Sequence, residues 1–179
     1  MRTQAKELTE RLKGCPLYLV GVGPKKTAVG RVLARRLTQY RCYDVGTLMC
    51  STYKALSGSE EEITLTQLLG AEPVADLEQL GAAVLQEVQP YTRSVFVSWD
   101  GAARRSDYMV MQQGIVVNIE QPDDPDYSAA LQVDDGAAIL DSWRAAHKEQ
   151  ADVTVTLSPE AAADDAAYQV VSAQPLPSA

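Results

Sequence analysis

Five short apolar runs alternate with stretches of helical periodicity along this chain, and that alternation limits its possible folds more than any other feature. The runs are predicted strands: Pro16–Gly21, Arg41–Val45, Ser94–Ser98, Ile115–Ile119 and Asp152–Thr156. Apolar residues on both faces are typical of strands in a parallel sheet, because helices cover both of its sides. The sequence therefore predicts a doubly wound α/β fold, a three-layer sandwich around a five-stranded parallel sheet.

The stretches between these runs have the periodicity of helices. The predicted helices are residues 1–13, Thr27–Gln39, Ala75–Val88, Ser106–Gln112, Gly136–Lys148 and Ser158–Ser172. In the last of them, Ser158 is the predicted N-cap and Pro159 the first helical residue. The segment Thr47–Glu72 is predicted to contain a short helix and a solvated acidic loop at Glu60–Glu62.

Composition predicts one domain and excludes several classes of protein. A chain of 179 residues, 46% of them hydrophobic, can bury a single core, predicted over residues 1–172 with a flexible tail at 173–179. The net charge of −8 argues against nucleic-acid binding through the whole surface. The three cysteines have no metal-binding spacing, which favours a reducing compartment. No apolar run is long enough to span a membrane. The N-terminal residues resemble neither a secretory signal nor an intact transit peptide.

The first strand, turn and helix resemble a phosphate-binding loop, which has the pattern GxxxxGK[ST]. Lys26 and Thr27 occupy the positions of the phosphate-binding lysine and the magnesium-binding hydroxyl. Two glycines, Gly21 and Gly23, lie in the turn, but the loop is one residue short, and Lys25 replaces the glycine before the lysine. We expect the Cβ of Lys25 to be unfavourable there, because glycine at this position permits backbone that other residues avoid.

This degenerate loop has two interpretations. Lys26 and Thr27 are either remnants of nucleotide binding, or simply a solvated charge and a local hydrogen-bonding group at a helix N-terminus. Because a helix N-terminus attracts anions, weak binding of phosphate or of ATP with magnesium is possible in both cases. Asp44, at the end of the second strand, is a candidate magnesium ligand, although a simple role at the strand end is favoured. A patch of basic residues in the first third leaves nucleic-acid association as a weaker alternative; it comprises Lys25, Lys26, Arg31, Arg35, Arg36 and Arg41.

Five segments in register resemble the shikimate kinase family, over roughly Leu12 to Val171. They read LVGVGPKKTAVGRVLARRL, YDVG, VFVSWDGAA, QGIVVNIEQP and ADVTVTLSPEAAADDAAYQVV, starting at residues 19, 43, 95, 113 and 151. The resemblance implies an adenylate-kinase-like P-loop fold. It also implies that Lys26 and Thr27 correspond to the phosphate and magnesium residues, and Asp44 to a carboxylate that assists the metal.

The substrate positions of the family are replaced in this chain. The resemblance puts Gly46 where the family has a substrate-binding aspartate, and Ala75 and Trp143 where it has substrate arginines. Trp99-Asp100-Gly101 replaces a triple glycine, so that Trp99 would fill the acceptor pocket and Asp100 would repel an anion. The lid segment 123–135 contains no arginine. Each lost charge-assisted contact costs about 1.5–3 kcal/mol, which predicts a loss of about 10³–10⁵ in substrate selection and no shikimate kinase activity.

The replaced positions match best a catalytically inactive, plastid-located branch of the family. This resemblance implies a binding or scaffold subunit with protein partners in a larger plastid complex, in chloroplast biogenesis or plastid gene expression. It implies a stromal location with the transit peptide absent from this chain, and no required cofactor. The alternative is an ATP-dependent small-molecule kinase of altered specificity.

Aromatic residues and the single histidine remain to be assigned. Trp99, Trp143 and Tyr43, with Tyr53 nearby, are expected at the edge of the former active site. They either fill the unused cleft, which predicts a buried Trp99, or form a partner-binding surface. His147 is predicted to be a solvated cation near a helix C-terminus.

Overall fold

The sheet consists of five parallel strands in the order β2-β3-β1-β4-β5. The computed structural model describes residues 2–122 and 135–173. The strands are β1 (Leu17–Val20), β2 (Arg41–Asp44), β3 (Ser94–Val97), β4 (Ile115–Glu120) and β5 (Val153–Thr156). All five apolar runs therefore form strands, and the predicted parallel α/β architecture is confirmed.

Helices cover both faces of this sheet. In the described residues they are α1 (Arg2–Leu12), α2 (Lys26–Arg36), α3 (Val45–Ser57), α4 (Leu65–Ala71), α5 (Val74–Val88), α6 (Arg105–Met111), α7 (Gly136–Gln150) and α8 (Ala163–Ala173). One apolar cluster joins the sheet to α1, α2 and α8. A second cluster joins the opposite face to α3, α4, α5, α6 and α7. The core thus lies in two layers, one on each side of the strands.

The last helix begins later than predicted. It starts at Ala163, and Ser158 and Pro159 lie in a turn closed by a hydrogen bond of 3.1 Å from Ala161 N–H to the Ser158 carbonyl. The Nζ atom of Lys25 donates to the Pro159 carbonyl at 2.8 Å. This long-range contact and the turn replace the local capping signal, so the predicted N-cap at Ser158 is wrong.

The segment between β2 and α5 contains more helix than predicted. It holds both α3 and α4, and α4 begins with a capping box between Thr64 and Gln67. The acidic residues Glu60–Glu62 are exposed in the loop between these helices, as predicted. The flexible tail is predicted at 173–179; Ala173 is instead the last residue of α8, and 174–179 lie outside the described part of the chain. Among the described helices, none is long and apolar enough to cross a membrane.

The strand order brings two loops together at the carboxyl edge of the sheet. Strand β1 pairs with β3, with Leu19 opposite Val97, and the N–H of Ser98 donates to the Leu19 carbonyl at 2.9 Å. The loop after β1 leads to Lys26, the first residue of α2, and the loop after β3 contains Asp100. Ligands of open parallel sheets bind at this edge, so these two loops define the candidate site.

Candidate functional site

The turn after β1 depends on two glycines. Gly21 and Gly23 have φ values of 122° and 121°, in the region that side-chain-bearing residues rarely adopt. A Cβ on Gly21 would lie 2.4 Å from the Ile119 carbonyl oxygen, and one on Gly23 would lie 2.2 Å from Cδ of Gln121. Lys25, by contrast, has ordinary helical geometry with φ −68° and ψ −22°. The expected backbone conflict at Lys25 is therefore wrong, because the strained positions are the two glycines.

Lys26 is buried inside this loop. Its side chain is 3% exposed, and Nζ donates to the carbonyls of Gly21 at 2.8 Å and Gly23 at 2.9 Å. The third partner is Oδ1 of Asp100 at 2.7 Å. The ammonium group thus has three acceptors, which matches its three donors. The interpretation of Lys26 as a solvated surface charge is wrong.

Side chains of the same chain accept the loop's backbone donors as well. Oδ2 of Asp100 accepts from the N–H of Gly23 at 2.8 Å. Oε1 of Gln121 accepts from the N–H of Lys25 at 3.0 Å. In a phosphate-binding loop, such backbone N–H groups and the lysine bind the phosphates. Here the Asp100 carboxylate occupies the position of an anion at the N-terminus of α2.

His147 supports the loop that contains Asp100. Its Nε2 lies 2.8 Å from the Asp100 carbonyl oxygen, and its Nδ1 lies 2.6 Å from the Tyr108 hydroxyl. A carbonyl can only accept, so Nε2 carries the proton and the tyrosine donates to Nδ1. His147 is 0% exposed, and burial lowers its pKa to about 4. The prediction of a solvated, charged histidine is therefore wrong, because this neutral ring is buried between two hydrogen-bond partners.

Trp99 fills the space beside this loop. Its indole is 2% exposed and lies against two glycines, where a Cβ on Gly81 or Gly101 would come within 2.1 Å of the ring. Trp143, 5% exposed, packs edge-on against it at 5.5 Å between ring centroids. Burial is the outcome predicted if these residues fill the cleft. Trp99 and Trp143 are therefore not surface anchors for a partner, and that alternative is wrong for both.

Tyr43 lies apart from the two tryptophans. It is half-buried on β2 and packs against Phe96 and Tyr91, with ring centroids 5.7 Å and 5.3 Å away. Tyr53 is also half-buried, and its hydroxyl donates to Glu72 at 2.6 Å. A partner-binding role for Tyr43 stays a prediction.

Asp44 and Thr27 lie together beside the loop. The Thr27 hydroxyl donates to Oδ2 of Asp44 at 2.6 Å, and Oδ1 of Asp44 accepts from the N–H of Thr47 at 3.0 Å. Asp44 therefore caps helix α3, a structural role at the strand end. The Thr27 hydroxyl and the Asp44 carboxylate are oxygen ligands of the kind that magnesium prefers. Magnesium usually takes most of its other ligands from water and substrate phosphates. No group of three or more His, Cys, Asp or Glu residues in the described ranges could hold a metal.

A cavity of about 400 Å³ opens next to these residues, between the loop and helices α3 and α4. Its lining is mixed polar and apolar and comprises Gly23, Pro24, Lys26, Thr27, Asp44, Gly46, Thr47, Cys50, Ser51, Glu62, Ile63, Thr64, Leu65, Thr66, Val97, Ser98, Trp99 and Asp100. Burial raises the pKa of the Cys50 thiol, which therefore stays protonated near neutral pH. The cavity is the space in which a small ligand would meet the loop.

Comparison with known proteins identifies the fold. No protein-family model matches the sequence, and no curated protein is similar to it. Among solved structures, a shikimate kinase from Acinetobacter baumannii in complex with shikimate matches with a TM-score of 0.67 and 21% identity, over 91% of this chain and 94% of that one. The shikimate kinase from Aquifex aeolicus matches with a TM-score of 0.61 and 18% identity, over 87% and 93%.

The chain has a shikimate-kinase-like fold. A third shikimate kinase, from Bacteroides thetaiotaomicron, matches with a TM-score of 0.56 and 18% identity, over 87% of this chain and 96% of that one. The resemblance in sequence and the likeness in structure therefore agree on the P-loop architecture. The arginine-free lid falls mainly on residues 123–134, outside the described part of the chain.

Four contributors to the site were missed or misjudged from sequence. Asp100 was expected to repel an anionic acceptor, but its carboxylate binds Lys26. Gln121, Tyr108 and His147 were not assigned to the site. His147 had a usable signal, because Leu140, Trp143 and His147 follow the three- and four-residue spacing of a buried helix face. Gln121 directly follows β4 and so lies at the same sheet edge as the loop. Its place in the strand order could therefore have indicated a contact with the loop.

Proposed function

We propose that this chain is a catalytically inactive shikimate-kinase-like protein that acts as a binding or scaffold subunit. One observation carries the proposal: the Asp100 carboxylate bonds both Lys26 Nζ and the Gly23 N–H, at 2.7 Å and 2.8 Å. These are donors that a P-loop uses for nucleotide phosphates. Lys26, the lysine of the motif, thus has a structural role as the ion-pair partner of Asp100.

The energetics of this ion pair oppose nucleotide binding. Lys26 and Asp100 are 3% and 4% exposed at their side chains, so each compensates the other's buried charge. Separating a buried pair so that one partner is left uncompensated costs about 3–5 kcal/mol. An incoming phosphate could pair with Lys26, but Asp100 would then need another partner or access to water. We therefore expect ATP to bind weakly or not at all.

The acceptor side supports the same conclusion. Recognition of a carboxylate such as that of shikimate relies on bidentate arginine contacts. Trp143 lies where the resemblance puts a substrate arginine, and it is buried against Trp99. The indole of Trp99 also covers Gly101, the remaining glycine of the former triplet. Compared with the family pattern, the acceptor side of this site therefore has less space and less positive charge for an anionic acceptor.

Plastid location and partners rest on the resemblance to the inactive plastid branch. We propose one or more protein partners in a larger complex of the chloroplast stroma, in chloroplast biogenesis or plastid gene expression. The net charge of −8 favours contact with nucleic acid only through such partners. Affinity capture from stroma tests this, with an active shikimate kinase of the same fold as the matched bait. Partners that both baits capture equally would contradict a specific scaffold role.

A second candidate function is an ATP-dependent kinase acting on another small molecule. It is favoured by the contact of 2.6 Å between Thr27 and Asp44, which keeps two oxygen groups together where a magnesium–nucleotide complex would lie. This alternative requires Asp100 to leave Lys26 when ATP binds. It therefore predicts ATP binding that is lost in Lys26→Ala.

A turnover assay tests catalytic inactivity directly. The purified protein is incubated with radiolabelled ATP, magnesium and either shikimate or a mixture of small hydroxylated acceptors, and phosphorylated products are separated. Lys26→Ala provides the matched background for contaminating kinases. We expect wild type and variant to give the same trace signal. Product formed by the wild type alone would contradict the proposed inactivity and favour the second candidate.

A further inference from the structure

The cavity of about 400 Å³ lies beside the loop between β1 and α2. A site for anions is positively charged, and the lining of this cavity is not. Among its described lining residues, four carry a formal charge at neutral pH: Lys26, Asp44, Glu62 and Asp100. Lys26 and Asp100 are bonded to each other at 2.7 Å and neutralise one another. Asp44 and Glu62 remain, so the lining carries a net negative charge.

Lys54, the basic partner of Glu62, offsets that carboxylate but leaves the charge of Asp44, so the balance stays negative. Glu62 pairs with Lys54, which lines a neighbouring cavity of about 280 Å³ and not the one beside the loop. The Glu62 side chain is 90% exposed, so water screens that pair. An anionic ligand would therefore meet the Asp44 carboxylate while the one described lysine of the lining is already occupied. A cationic ligand would meet Asp44 with attraction.

The uncharged part of the lining is rich in hydroxyl groups. Six hydroxyl-bearing residues line the cavity: Thr27, Thr47, Ser51, Thr64, Thr66 and Ser98. One apolar side is formed by the half-buried Ile63 and Leu65, with the buried Val97 and Trp99 behind the cavity wall. The oxygen of Thr64 accepts from the N–H of Gln67, which leaves its own proton for a ligand. Such a lining suits a compact ligand with several hydroxyls and one apolar face.

We propose that this cavity binds a small polyhydroxylated amine in its protonated form. The carboxylate of Asp44 accepts the ammonium group, since its two oxygens offer about four acceptor sites and use two for Thr27 and Thr47. The hydroxyls of Thr64 and Thr66 bind the ligand's hydroxyls, and the half-buried side chains of Ile63 and Leu65 pack against its ring. This proposal rests on the proposed function in one respect, because both require Asp100 to neutralise the charge of Lys26.

Three sugars of matched size test the charge preference: glucosamine, glucose and glucuronate. Each is titrated into the protein at about pH 6.5, where the amine is protonated and the uronate ionised, and binding is followed by calorimetry and by Trp fluorescence. We expect glucosamine to bind in the millimolar range or tighter, glucose more weakly and glucuronate most weakly. Binding of glucuronate as tight as that of glucosamine, or no binding of any probe, would overturn the proposal.

Asp44→Asn isolates the carboxylate, because asparagine is an equally good helix N-cap. We expect it to weaken glucosamine binding about 10- to 100-fold and to leave glucose binding nearly unchanged. Asp165→Asn, an exposed change of the same charge on α8, is the control and should have no effect. Glucosamine binding that Asp44→Asn leaves intact would overturn the proposal.

Glu62→Gln provides a second variant if Asp44→Asn does not fold, since Glu62 is exposed. It should weaken glucosamine binding by a smaller factor, and full retention of binding would count against the proposal. ATP binding and turnover are measured on the same preparations. A protein that phosphorylates an acceptor refutes the proposed inactivity, whereas a protein that shows no turnover and does not bind glucosamine refutes the amine site alone.

Discussion

The ammonium group of Lys26 and the carboxylate of Asp100 form a buried ion pair 2.7 Å long across the carboxyl edge of the sheet. The pair joins the loop after β1 to the loop after β3, 74 residues later in the chain. Asp100 also accepts from the Gly23 N–H, so one side chain satisfies two donors that a P-loop offers to phosphate. The loop is therefore a structural element of the folded protein.

A double-mutant cycle on this pair has a clear expected result. Asp100→Asn leaves the Lys26 charge buried without a counter-charge and should lower the free energy of unfolding by about 3–5 kcal/mol. Lys26→Met should also destabilise the protein. The double variant should be more stable than the sum of the two losses predicts, because it contains neither buried charge. Urea unfolding followed by circular dichroism measures all four proteins, and strictly additive losses would argue against the pair.

The packing of Trp99 on helix α5 gives a second prediction. A Cβ on Gly81 would lie 2.1 Å from Nε1 of Trp99, so Gly81→Ala should force the ring to move. The clash costs about 1–3 kcal/mol, partly offset by about 1 kcal/mol from the higher helix propensity of alanine, so we expect a net loss of up to about 2 kcal/mol. Gly70→Ala, at an exposed position of α4, should instead be neutral or stabilising. Equal thermal stability of the two variants would contradict this packing.

The strands were predictable because each is a short, two-sided apolar run, a signal that depends only on neighbouring residues. The start of α8 was not, because Ser158, Pro159 and Glu160 form a good local capping sequence whose carbonyls are engaged elsewhere. Lys25, which follows β1 at the same carboxyl edge of the sheet, donates to the Ser158 and Pro159 carbonyls. Tertiary contacts of this kind override local preference, and no local pattern reveals them.

The site was only partly predictable for the same reason. The degenerate motif located Lys26 and Thr27, and the resemblance located Asp100 after the third strand. The contact between Lys26 and Asp100 follows from β1 lying next to β3, which is a property of the sheet order. Opposite charges at the same sheet edge could have suggested it. His147 lies near a helix end, a position typical of a solvated cation, but it shares a buried helix face with Trp143.

Stability should depend on pH through His147. Burial lowers its pKa to about 4 from an ordinary value of 6.5, so the unfolded chain binds a proton in this range that the folded protein does not. Stability is therefore fully present above pH 6.5 and falls as the pH drops towards 4, by up to about 3 kcal/mol. His147 is the single histidine in the sequence, so the carboxylates are the other groups that titrate in this window.

His147→Gln separates the two contributions. Glutamine can still donate to the Asp100 carbonyl, but it does not titrate, and the carboxylates are common to both proteins. We expect the variant to be less stable at pH 7 and to lose less stability than the wild type between pH 6.5 and 4.5. Parallel pH profiles of the two proteins in urea unfolding would show that His147 is not the group responsible.

The most direct test of the account is a calorimetric titration of the wild type, Asp100→Asn and Lys26→Ala with ATP and magnesium. Because Asp100 occupies the loop in the folded protein, the wild type and Lys26→Ala should give no binding heat at millimolar ATP. Asp100→Asn frees the Lys26 ammonium for phosphate and should bind ATP measurably. Micromolar binding by the wild type that disappears in Lys26→Ala would contradict the account and show a working nucleotide site.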